Sequence, residues 1–145
     1  KKIDISKNLL TIVDLYRYEI EKSITLNLNI NSKEEIEAYP IMLHQLWSNL
    51  LKNALEALEK KEGKKNLKIN IHSNKSILNV EFINNGPKIN ESQKELIFDN
   101  LYTTKEKGSG LGLGIVKNVV DAHRAKIDFA SNEEETVFKI TFYRN

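Results

Sequence analysis

Gly108-Ser-Gly-Leu-Gly-Leu-Gly-Ile-Val116 concentrates four of the chain's six glycines in seven positions and runs at once into an apolar helical pattern. Glycine permits positive φ and removes the Cβ that would keep a ligand off the backbone. The first turn of the helix that follows offers unpaired N–H groups and a partial positive charge. Such a turn suits a phosphate, or else it makes a tight packing turn, and the residues around it must decide between the two.

Outward from this run, the chain alternates helical and strand periods. Downstream, Ile127 and Phe129 and then residues 137–143 read as two strands. Upstream, residues 84–111 are polar, with one short helical segment over 91–98, and a stretch of that length without regular structure is usually functional. A hairpin precedes it, Leu67/Ile69/Ile71 against Ile77/Val80/Phe82 around the turn His72-Ser-Asn-Lys75. Residues 40–61 form a long helix begun by Pro40 and ended before Gly63. Before that, the apolar stripe Leu9, Leu10, Ile12, Val13, Leu15, Tyr16 and Ile20 predicts a helix over 6–21 with Ser6 as its cap. Ile24, Leu26, Leu28 and Ile30 alternate as a half-buried strand, with Ile36-Glu-Ala-Tyr39 as its short partner. The third long helix covers about 111–123. Strands in pairs and three main helices predict an α/β two-layer sandwich, its sheet mixed but mainly antiparallel, with the helices on one face.

At 145 residues the chain is expected to make one domain, 1–145. It has no cysteine, which removes disulfides, thiolate metal sites and a cysteine nucleophile together. No apolar run approaches the ~20 residues of a membrane span. A net charge of +2 with interspersed signs predicts no nucleic-acid partner. The chain starts at Lys1-Lys2 and its one methionine is Met42, which suggests a C-terminal piece of a longer protein.

On the helix beginning at Pro40, a step of ~100° per residue puts Leu43, Leu46, Trp47, Leu50, Ala54, Ala57 and Leu58 on the core face. The same arithmetic puts Asn49, Asn53 and Glu56 within about 60° of one another at the margin of that face. Two asparagines at i, i+4 inside a helix ask for a specific reason, since asparagine is a mediocre helix former.

Asn49-Leu-Leu-Lys-Asn53-Ala-Leu-Glu-Ala57 resembles the N box of the GHKL nucleotide-binding superfamily, in the form found in bacterial sensor histidine kinases. Phe82-Ile-Asn-Asn-Gly86-Pro-Lys-Ile89 resembles the G1 box, Phe98-Asp-Asn-Leu-Tyr-Thr-Thr-Lys105 the F box, and Gly108-Ser-Gly-Leu-Gly-Leu113 the G2 box. Four boxes in order are far more specific than any one of them. The resemblance implies the Bergerat ATP-binding fold and a catalytic domain that takes ATP with Mg²⁺. By the same resemblance Asn53 holds the magnesium, a role suited to a neutral oxygen ligand beside a triphosphate. Asn49 stands where the ATP-hydrolysing relatives and the serine kinases of the superfamily carry a catalytic glutamate. An amide cannot act as a general base, so transfer to an imidazole, itself a nucleophile when neutral, fits better than water attack. Glu56 is the carboxylate that could undo this argument.

The remaining nucleotide-binding positions follow from the boxes. Asn84, Gly86, Ile89 and Thr136 are implied at the base. Phe98, Tyr102, Thr103, Thr104 and Lys105 belong to a mobile lid over the nucleotide. Lys105 is the cation for the γ-phosphate and, with Asn49, the second catalytic candidate. Gly108, Gly110, Leu111, Gly112, Leu113 and Gly114 cradle the phosphates at the helix start.

The G1 box departs from its family, which has Asp-x-Gly-x-Gly with the Asp accepting from the adenine amino group; here Asn84-Asn-Gly86-Pro-Lys88 stands instead. A hydrogen bond to a charged group contributes about 1.5–3 kcal/mol against about 0.5–1.5 for a neutral pair, so weaker nucleotide binding is expected. An amide can also turn its NH₂ toward a guanine O6, which predicts poorer discrimination between ATP and GTP. Lys88 in place of glycine sends the loop along another path.

None of His44, His72 and His123 has the acidic neighbour and following proline of a phosphoacceptor box. The resemblance therefore implies transfer to a histidine on a separate dimerisation domain, with a response regulator downstream, a monomeric isolated domain and a homodimeric parent. It implies a cytoplasmic domain whose parent is either soluble or membrane-anchored. The rival readings are a GHKL-type ATPase or serine kinase, and a nucleotide-binding or docking module without catalysis.

Overall fold

The computed structural model describes residues 1–30, 33–90, 92–93 and 113–144. Along the chain come β1 (Lys2–Asp4), α1 (Ile5–Ser23), β2 (Thr25–Asn29), β3 (Glu35–Glu37), α2 (Pro40–Glu59), β4 (Asn66–Ser73), β5 (Ile77–Asn84), α3 (Leu113–Ala122), β6 (Lys126–Ser131) and β7 (Thr136–Tyr143). Among the described residues five strands make one sheet in the order β2-β4-β5-β7-β6. β2 runs parallel to β4, because α2 carries the chain back between them, and the other pairings are antiparallel.

Alternation divides the sheet's faces. Leu67, Ile69, Leu78, Val80, Phe82, Phe138, Ile140 and Phe142 are buried on one face, where all three described helices pack. Between them Lys68, Asn70, Asn79, Glu81 and Lys139 point the other way, and this polar face is laced by hydrogen bonds from Asn29 to Asn70 (2.7 Å) and from Asn70 to Glu81 (3.1 Å). This is the two-layer sandwich expected from the periodicities. Trp47 is fully buried at its centre, 6.2 Å from Phe82 and 6.3 Å from Phe142 between ring centroids. Its Nε1 donates to Asn8 Oδ1 at 2.9 Å, so the one polar atom of the ring is satisfied from α1. None of the described helices is long and apolar enough to cross a membrane.

Two local expectations are corrected. Asp4, and not Ser6, caps α1: its Oδ1 accepts from Lys7 N at 3.3 Å. Ser6 is buried instead, inside the first turn. The segment at 35–37 does not pair with β2 but with β1, in the register Ile3↔Ile36. A three-residue strand carries too little pattern to name its partner. α2 also stops two residues early, at Glu59, and the chain then reaches Gly63 at φ +84°, a conformation glycine adopts freely.

Candidate functional site

Three residues at the margin of α2 meet three different environments. Asn53 is buried, 8 % exposed, and its Nδ2 has no hydrogen-bond partner among the described residues. Asn49, one turn earlier, is half-buried and spends its amide NH₂ on Gln45 O at 2.8 Å. Glu56 faces solvent. A buried amide with an unpaired donor costs stability unless something else engages it. Sequence arithmetic brought the three together, and the fold draws in only one of them.

Opposite α2 lies the end of β5. Asn84, its last residue, is 4 % exposed and sits between Leu67 and Thr136 in the sheet register. The chain then turns sharply, and Asn84 Oδ1 accepts from Gly86 N at 2.9 Å. A Cβ on Gly86 would lie 2.9 Å from Asn84 Oδ1 and 3.0 Å from both Ala57 Cβ and Ala57 O. Glycine is required here by the close approach of this turn to α2, one helical turn beyond Asn53.

Two further residues brace the turn after β5 and the strand ends beside it, and were not singled out from the sequence as site residues. Asn85 Oδ1 accepts from Asn66 N at 2.8 Å and its Nδ2 donates to Lys64 O at 3.0 Å, which ties the turn to the start of β4. Ser131 Oγ accepts from Ile89 N at 3.0 Å and lies 2.7 Å from Thr136 Oγ1, itself on a residue 3 % exposed. The one available signal for Ser131 was its place in the inward series Ile127, Phe129, Ser131, where a hydroxyl closes an apolar alternation. Lys88 lies at the surface with its ammonium 3.8 Å from Glu133.

The strand ends and α2 therefore carry different chemistry. The strand side offers an amide, two hydroxyls and the Ile89 backbone, and the helix side offers Asn53. Phe98, Tyr102, Thr103, Thr104, Lys105, Gly108, Gly110, Leu111 and Gly112 lie outside the described residues. Leu113 opens α3, and Gly114 is half-buried in its first turn. Among the described residues no cluster of three His, Asp or Glu side chains could hold a metal ion. A cleft of about 460 Å³ opens at this end of the sheet, lined by Thr25, Asn27, Lys64, Asn66, Asn84 and Asn85 among others, with neither Asn53 nor Thr136 in its lining.

The sequence profile of the histidine kinase-, DNA gyrase B- and HSP90-like ATPases matches residues 38–144, and the chain belongs to that family. Within it, the fold is that of the histidine kinase catalytic domains. The catalytic domain of the histidine kinase ThkA superposes with a TM-score of 0.84 at 27 % identity, over 99 % of this chain and 97 % of that one. A second structure, ThkA in complex with the response regulator TrrA, gives 0.80 at 28 % identity over 100 % of this chain and 42 % of that one. The sensory histidine kinase/phosphatase NtrB of Proteus hauseri is 30 % identical over 138 residues, 89 % of this chain. The chain spans 40 %, 28 % and 22 % of the length of the first three curated relatives it matches.

Proposed function

We propose that this chain is the catalytic, ATP-binding unit of a sensor histidine kinase, which binds ATP with Mg²⁺ and delivers the γ-phosphoryl group to a histidine on a separate dimerisation domain. The observation that carries this reading is Asn53, a buried amide whose NH₂ bonds to no described residue, one helical turn from the point where Gly86 is packed against α2. Likeness to NtrB and to the ThkA catalytic domain supports it, and the ThkA–TrrA complex supports a response regulator as the downstream partner.

In this reading the base lies over Asn84, Ser131 and Thr136 and the phosphates run toward the start of α3, whose first-turn N–H groups face them. Asn53 is the side chain that would hold magnesium, through its neutral amide oxygen, the kind of donor a hard cation takes. Magnesium, when bound, offsets charge on the phosphate oxygens. Lys105 and the glycines at 108, 110, 112 and 114 are assigned to the phosphates by their motif positions. In the transfer, a neutral imidazole nitrogen of the partner domain forms a P–N bond as the bond from γ-phosphorus to the bridging oxygen breaks, and ADP leaves with that electron pair. The chain's contribution is alignment and charge stabilisation. Asn49 cannot take a proton from water and Glu56 is turned to solvent, so the chain favours transfer over hydrolysis.

Calorimetric titration with a non-hydrolysable ATP analogue, with and without Mg²⁺, tests the site. Magnesium-dependent binding should weaken by about tenfold or more in Asn53→Ala. Failure of the wild type to bind at ~1 mM would overturn the reading, since affinities weaker than that carry under about 4 kcal/mol. With radiolabelled ATP and a histidine-bearing dimerisation domain from the parent kinase, acid-labile label should appear on that domain.

A further inference from the structure

In the Asn84 amide one atom is already committed, and that decides what the other shows to a ligand. Gly86 is buried, so its N–H needs an acceptor, and Asn84 Oδ1 supplies it at 2.9 Å. Turning the amide over would set its NH₂ against that N–H, donor against donor, and leave a buried backbone group unpaired. The same turn cannot relax to another acceptor easily, because the Gly86 backbone is pressed against Ala57 of α2, with no room for even a methyl group. Asn85, which flanks it, is held at both amide atoms by Asn66 N and Lys64 O. Thus Oδ1 points back into the turn, and Nδ2, which bonds to no described residue, is the amide atom left for a ligand.

We propose that Asn84 makes this site a reader of 6-oxopurine nucleotides, such as those of guanine or hypoxanthine, at least as good as it is for adenine nucleotides. The inference rests on the nucleotide-site reading above and concerns only the base. A carboxylate in the same pose would give one oxygen to Gly86 N–H and turn the other to the base, an acceptor that suits a 6-amino group. An asparagine in that pose turns a donor to the base. A donor meets a 6-oxo group favourably and opposes a 6-amino group. The neighbouring hydroxyls of Ser131 and Thr136, 2.7 Å apart, each donate or accept by rotating, so they accommodate either base and leave position 84 to decide.

The test compares ADP with IDP, which carry an amino and an oxo group at the same purine position and lack the guanine 2-amino group. Calorimetric titration of the wild-type protein should give IDP a Kd equal to that of ADP within about threefold, or lower. A preference for ADP greater than about threefold overturns the proposal while leaving the nucleotide site intact. Binding of neither nucleotide overturns both. In Asn84→Asp the ratio should swing toward ADP by roughly tenfold, the effect of turning a repelled pair into a bonded one. An unmoved ratio in a folded variant also overturns the proposal, and if that variant fails to fold the wild-type ratio decides alone.

Discussion

Gly86 is the residue where packing is tightest against the proposed nucleotide site. Its hydrogen occupies the space in which a Cβ would strike Ala57 O and Ala57 Cβ at 3.0 Å, and a backbone carbonyl in a helix cannot swing aside as a flexible side chain would. Gly86→Ala should therefore destabilise the fold by about 1–3 kcal/mol, read by urea denaturation, and push the turn off α2. A variant as stable as the wild type would show that the turn has slack. Asn53 and Asn49 make the complementary point. Identical side chains one turn apart on α2 differ because one enters the core margin and the other bonds back to its own helix at Gln45.

Among the elements, α2 has an unusual start. Its N-cap Tyr39 makes no side-chain cap, and the Tyr39 N–H goes instead to His123 Nε2, 3.1 Å away and just past the end of α3. Since Nε2 accepts, Nδ1 carries the proton and donates to Val119 O at 2.8 Å. The ring also meets Tyr39 and Phe142 edge-on at 5.4 and 6.0 Å. His123→Phe should keep those ring contacts but lose the bond to the start of α2, at a cost of about 0.5–1.5 kcal/mol in thermal or urea unfolding. His123→Ala should cost distinctly more, because the packing goes too. This histidine, unassigned from the sequence, thus serves as a fastener between the first turn of α2 and the last of α3.

At the scale of the whole molecule, Arg144 closes the fold by joining segments 110 residues apart. Its Nη2 donates to Glu34 Oε1 at 2.7 Å and its Nη1 to Glu35 O at 2.9 Å, while Ser73 Oγ bonds the same carboxylate oxygen at 2.8 Å. This locks the small β1–β3 sheet to the end of β4. Arg144→Met should destabilise by about 1–3 kcal/mol in urea, and the added loss from Glu34→Gln should be smaller than in the wild-type background, because the two act as one unit. Fully additive losses would show that the pair is not coupled. By itself the sequence determined the helices, the alternating strands and the boxes that place Asn53, Asn84, Gly86 and Thr136, because period and turn chemistry are local properties carried by neighbouring residues. The tertiary structure alone decided that β3 pairs with β1 and that β2 lies parallel to β4. It alone buried Asn53 while turning Glu56 outward, and aimed the Asn84 amide by committing its oxygen to Gly86. Each of these is set by a partner far away in sequence or by the competition for one buried hydrogen bond, and no local pattern encodes either.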